Sequence, residues 1–185
     1  MKPSFDFNRA LVEKYDRPGP RYTSYPTAPQ FHQAFAVDDY QRAARESNQA
    51  SASKPLSVYI HIPFCKSLCY YCACNKIITQ KTHRAVEYLR YLKLEIAMQA
   101  ALFDSTRKLT QLHLGGGTPT YLTSEQLADL MDCLHQAFNM DDSDDHEFSI
   151  EVDPRTISTE QIQSLRQLGF NRLSFGVQDF DPDVQ

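Results

Sequence analysis

A chain of 185 residues is long enough for one domain with a buried core. Its 42% hydrophobic and 23% charged residues are those of an ordinary globular protein, and a net charge of −4 excludes the basic field that nucleic acid requires. No apolar run approaches the ~18 residues of a membrane helix and Met1–Asp6 has no apolar signal core, so a cytosolic address with reduced thiols is expected.

Along the chain, residues 1–54 form an arm that reads as irregular. Pro18, Gly19, Pro20 and Pro26 forbid a long helix there, although 38–50 could form a short polar one. Ser51–Pro55 reads as a linker. Val58–Ile62 has the pattern of a strand. A helix is expected over 82–103, with Val86, Leu89, Leu92, Ile96 and Phe103 on one stripe. Leu112–Leu114 is a second strand, stopped by Gly115-Gly116-Gly117. Thr123-Ser124-Glu125-Gln126 fits a capping box and opens a helix with Leu127, Leu130, Met131, Leu134 and Phe138 on its face. Cys133 in that helix reads as a small buried side chain. Asp141–Asp145 reads as a solvated acidic loop, and Phe148–Val152 as a third strand. Ser158-Thr159-Glu160-Gln161 caps a further helix that Gly169 ends, and Arg172–Phe175 is a fourth strand.

Strands alternating with helices predict an α/β domain over 55–185 with a parallel sheet. In such sheets chemistry collects at the carboxyl ends of the strands. The notable residues follow strands in the same way: cysteines after the first, glycines after the second, Glu151 ending the third and Gln178 past the fourth. The chain stops at Gln185, soon after a strand with no covering helix, so a piece of a longer enzyme is expected.

Four of the five cysteines crowd into Cys65-x3-Cys69-x2-Cys72-x-Cys74. In a reducing compartment such crowding points to a metal site rather than disulfides. Thiolates are soft ligands that suit iron–sulfur clusters or zinc. Three thiolates on a cubane of four irons leave one iron open to a ligand. On spacing alone, a zinc site closed by Cys74 and a redox pair at Cys69 and Cys72 remain alternatives.

The three-cysteine run after a first strand resembles the radical S-adenosylmethionine superfamily. Further segments resemble the oxygen-independent coproporphyrinogen III oxidase family: Tyr15–Ala28, Tyr59–Cys65, Gly115–Thr120, Ile150–Pro154, Gly176–Phe180 and the fourth cysteine, Cys74. The resemblance implies the N-terminal part of an incomplete (β/α)6 barrel, preceded by the arm. It implies a [4Fe–4S] cluster on Cys65, Cys69 and Cys72, with Cys74 outside the ligand set, and two molecules of S-adenosylmethionine. Tyr59, Gly116, Gly117, Thr118 and Glu151 are implied at the cofactor, Tyr71 facing the cavity, and Gln178 near the second S-adenosylmethionine. Arg17, Arg21, Tyr22 and Tyr25 of the arm suit a substrate bearing four propionates. The activity implied is oxidative decarboxylation of coproporphyrinogen III in haem synthesis, by a cytoplasmic monomer that needs an external electron donor. A related haem-handling chaperone would lack the arm and Cys74; a radical enzyme acting on another substrate is the remaining alternative. His61 and His113, as lone strand histidines, read as structural.

Overall fold

A computed structural model describes residues 7–18, 26–50, 54–181 and 183. Two compact units divide at Tyr40/Gln41. In the first, α1 (Arg9–Tyr15) is capped by the Asn8 side chain, which accepts from the Leu11 N–H; a full turn therefore forms in a stretch expected to be irregular, and it stops before Pro18. Arg21, Tyr22 and Tyr25 lie outside the described residues. α2 (Val37–Ala50) runs across the division.

The second unit holds the main sheet. Its strands and helices follow in the order β1 (Leu56–Ile62), β2 (Phe64–Cys65), β3 (Ile77–Ile78), α3 (His83–Ala100), β4 (Lys108–Gly116), α4 (Ser124–Ala137), β5 (Asn139–Met140), β6 (Glu147–Glu151), α5 (Thr159–Gln167) and β7 (Arg172–Ser174). The main sheet runs β1-β4-β6-β7 with every pair parallel, and β5 adds to the start of β4. Parallel neighbours joined through α3, α4 and α5 follow from the alternating pattern, because a parallel pair needs a long crossover.

The two faces of this sheet differ. Along β1, Leu56, Ile60 and Ile62 are buried while Ser57 and Tyr59 are exposed. The buried set joins Leu112, Leu114, Phe148 and Ile150 in one core under the helices. From α3 this core takes Ala85, Leu89, Leu92 and Ile96; Val86, expected on that stripe, points outward and is 60% exposed. A one-residue rotation of the stripe exchanges one for the other. Each fully buried leucine or isoleucine contributes about 1.5–3 kcal/mol. Both capping boxes form: Thr123 with Gln126, and Ser158 with Gln161. Gly169 ends the last helix at φ 94°, a conformation that glycine adopts without strain. Cys133 packs against the core while staying partly accessible.

The acidic loop differs from the expectation. Asp141 is buried and its carboxylate accepts from Lys108 Nζ at 2.8 Å, so one of the five residues expected to be solvated is a structural ion-pair partner.

Candidate active site

The inner face of the sheet carries polar residues in rows fixed by register. Tyr59 pairs with His113, which pairs with Ser149. One step nearer the carboxyl ends, His61 pairs with Gly115. Glu151 lies beside that row, one residue beyond the Leu114–Ile150 pair. Parallel pairing thus gathers side chains from three strands that are 54 to 92 residues apart in the sequence, counting from Tyr59 to His113 and to Glu151.

They interlock. The Tyr59 ring stacks on His113 at 5.8 Å between centroids, and the Tyr59 hydroxyl meets His61 Nδ1 at 2.9 Å. His113 Nδ1 lies 2.6 Å from Ser149 Oγ, and its Nε2 lies 3.5 Å from Glu151 Oε1. The other Glu151 oxygen accepts from the Gly116 N–H at 3.0 Å. Burial raises the Tyr59 phenol above its ordinary pKa, and the Glu151 carboxylate adds to the rise.

Glycine is required at this spot. A Cβ on Gly115 would come within 3.0–3.2 Å of His113, Tyr59 and Glu151. Gly116 has φ 109°, and a Cβ there would strike the His61 ring at 2.7 Å. On Gly117 it would meet the Phe64 carbonyl at 2.7 Å, because Gly117 N–H bonds to Ile62 O at 2.8 Å and Thr118 N–H to Phe64 O at 2.8 Å. The glycine run is therefore sewn to the end of β1, and the missing Cβ atoms leave room for the His113, Tyr59, Glu151 and His61 side chains to close over it.

The cysteine loop rises beside it. β2 and β3 pair across its neck, with Ile77 N–H on Pro63 O at 2.7 Å and Thr79 N–H on Cys65 O at 3.0 Å. Cys65 is buried, Cys69 and Cys72 are half-buried, and Cys74 is exposed. Thr118 Oγ1 lies 3.6 Å from Cys65 Sγ, which joins the glycine turn to the first thiol. Lys76 Nζ donates to Cys72 O at 3.0 Å. The Cys74 N–H holds the Cys72 thiol below its ordinary pKa and Lys76 adds to this, whereas burial and the neighbouring Cys72 push the Cys74 thiol up. Thiolate therefore forms more readily at Cys72 than at Cys74. Asp153, just past β6, grips Arg155 through two bonds of 2.9 and 2.8 Å.

Of the residues expected from sequence, Glu151 bonds to Gly116, Tyr59 and Glu151 flank Gly115, and Thr118 reaches Cys65. Tyr71 is half exposed and makes no hydrogen bond among the described residues. Gln178 adopts φ 68° and folds back over Gly176, where a Cβ would sit 2.2 Å from its amide nitrogen. Sequence reasoning missed His61, His113 and Ser149 as members of the site. The i, i+2 spacing of Tyr59 and His61 was the available signal, since it puts both on one face of a strand.

The donors present fit a thiolate-held cluster with a small polar ligand beside it. Three soft thiols stand on one short loop, joined to the glycine turn through Thr118.

A parallel sheet with such a loop after its first strand defines a class: residues 59–185 match the Radical SAM superfamily. The oxygen-independent coproporphyrinogen III oxidase of Mannheimia haemolytica is 51% identical over 145 residues, covering 78% of this chain and 94% of that protein. The Pseudomonas aeruginosa protein of the same name is 49% identical over all 185 residues, and this chain spans 40% of its length. The solved coproporphyrinogen III oxidase of Escherichia coli, described as a radical SAM enzyme, superposes with a TM-score of 0.80 at 47% identity, over 97% of this chain and 38% of that one. The chain belongs to the oxygen-independent coproporphyrinogen III oxidase family of the radical S-adenosylmethionine superfamily. Membership implies a [4Fe–4S] cluster and S-adenosylmethionine, and the sheet corresponds to the N-terminal part of that fold.

Proposed function

We propose that these residues form the cluster and cofactor site of an enzyme that converts coproporphyrinogen III to protoporphyrinogen IX without oxygen, in haem synthesis. The observation that carries the reading is the cysteine loop fastened through Thr118 and the glycine run to a polar wall of Tyr59 and Glu151.

Cys65, Cys69 and Cys72 hold the cluster, and Cys74 stays outside it. Gly116 and Gly117, with Thr118, lie along the methionine part of S-adenosylmethionine. Glu151 accepts hydrogen bonds from the cofactor's donors while its other oxygen is held by Gly116 N–H. Tyr59 packs against the cofactor from the first strand. Tyr71 faces the cofactor cavity, Gln178 serves a second S-adenosylmethionine, and Arg17 with Arg21 pairs substrate propionates. When bound, the cluster and S-adenosylmethionine would supply the one-electron chemistry that an oxygen-independent decarboxylation of propionate chains needs. A separate donor delivers electrons to a monomeric, cytoplasmic enzyme; among the described residues no helix is long and apolar enough to cross a membrane.

Anaerobic reconstitution tests this. It should give about four irons and four sulfides per chain, with a broad absorption that bleaches on reduction, and dithionite with S-adenosylmethionine should release 5′-deoxyadenosine. One tightly held zinc without sulfide would overturn it. The 185 residues alone are expected not to turn over coproporphyrinogen. Tyr59 is 57% exposed, and radical chemistry needs a wall shielded from water. Protoporphyrinogen formation by this chain alone would contradict that expectation.

A further inference from the structure

We propose that His61 is a positioning residue: it ties the far side of the cysteine loop to the cofactor wall and turns Tyr59 into a hydrogen-bond acceptor toward the ligand. The second half of this inference rests on the cofactor reading above; the first half does not.

His61 Nε2 lies 2.9 Å from the Asn75 carbonyl oxygen. A carbonyl only accepts, so Nε2 carries the proton and donates. A neutral imidazole has one N–H, which leaves a lone pair on Nδ1 to accept from the Tyr59 hydroxyl at 2.9 Å. The Tyr59 hydrogen is thereby committed to His61. Its oxygen presents lone pairs to the open side of the sheet, suited to a ligand amine or hydroxyl.

The ring is fixed from other sides as well. It rests on the bare backbone of Gly116, where a Cβ would come within 2.7–2.8 Å of three ring atoms. Gly116 is held in turn by Glu151. The Tyr88 hydroxyl of α3 donates to the His61 backbone oxygen. Asn75 precedes Lys76, which grips the Cys72 carbonyl. The β2–β3 neck holds the base of the cysteine loop, and the bond to Asn75 holds its return arm. With both made, loop and wall move as one body.

Amide geometry separates the two bonds. In His61→Gln the side-chain nitrogen reaches the place of Nε2 and can donate to Asn75. In His61→Asn the amide oxygen stands in the place of Nδ1 and can accept from Tyr59. His61→Leu removes both. In the metal-free chain, hydrogen exchange of the 66–76 amides should speed up about fivefold in the Leu and Asn variants, the size of one ordinary net hydrogen bond, and stay near the unaltered rate in the Gln variant. Exchange at Leu112 and Ile150, deep in the sheet, reports that each variant is folded. In the reconstituted chain with an oxidised cluster, S-adenosylmethionine affinity by dialysis should fall about fivefold in the Leu and Gln variants and hold in the Asn variant. Equal loop exchange in all four chains overturns the tie. Equal affinity, or equal loss in all three variants, overturns the orientation of Tyr59. A chain that takes up no iron and sulfide would sink the proposed function instead, and the exchange comparison would still decide the tie.

Discussion

The two ends of the parallel strands use polar groups in opposite ways. At the amino end of β4, Arg107 is 7% exposed and spends its guanidinium on Lys54 O, Ser47 Oγ and Asn48 Oδ1 at 2.8–3.0 Å. Beside it Lys108 closes on Asp141. These bonds tie α2, the residue Lys54 ahead of β1 and the acidic loop to β4. At the carboxyl end, Tyr59, His61, His113 and Glu151 bond to one another but stay partly accessible, packed over a glycine run that leaves them room. Groups whose bonding is complete and buried hold the fold. Groups half satisfied by neighbours and half open to solvent are ready for a ligand.

Serine in place of Cys65, Cys69 or Cys72 sharpens that contrast most, because a hydroxyl is a poor ligand for iron in a cluster. Each variant should lose reconstituted iron and sulfide almost completely, while Cys74→Ser retains them; equal loss in all four would contradict the ligand set. Arg107→Ala acts at the other end. It strands two half-buried acceptors and a carbonyl and removes a buried side chain, so urea unfolding should register a loss of about 2 kcal/mol with iron and sulfide content unchanged.

Glu151→Gln is the matching change at the ligand end. Glutamine can still accept from Gly116 N–H, so stability should move by less than about 1 kcal/mol, while S-adenosylmethionine binding weakens about tenfold by dialysis. A large stability loss without a binding loss would erase the difference between the two ends. Asp141 gives the smallest effect and a pH signature. Its hydrogen bonds from Lys108 and Ser143 hold its carboxyl down to about 2. A depressed carboxylate stabilises the fold above its unfolded pKa of about 3.9, and that contribution is lost as pH falls toward 2. Asp141→Asn should therefore unfold more easily at neutral pH yet show a shallower fall in stability between about pH 4 and 2, read by denaturant midpoints. Parallel curves would show that the pair carries no linkage.

What the sequence determined by itself is local. The capping boxes at Thr123 and Ser158 and the strand-helix alternation act within a few residues, and each forms as read. The glycines at 115–117 were expected to stop the strand, yet β4 runs on through Gly116, and the cause of the glycine run was not legible. The His61 ring and the Phe64 carbonyl that forbid a Cβ come from β1 and β2. Tertiary structure decided the rest, because it depends on partners distant in the chain. Which residue of α3 faces the core, Ala85 rather than Val86, depends on where the sheet lies. Asp141 is buried because Lys108, 33 residues earlier, reaches it. The β2–β3 neck rests on a pairing of two residues with two, too short to mark the sequence. Above all, His113 and Ser149 join the site only through parallel register, which sets Tyr59, His113 and Ser149 in one row. Register is a relation between strands, fixed when their buried faces pack together, and no window along a single strand contains it.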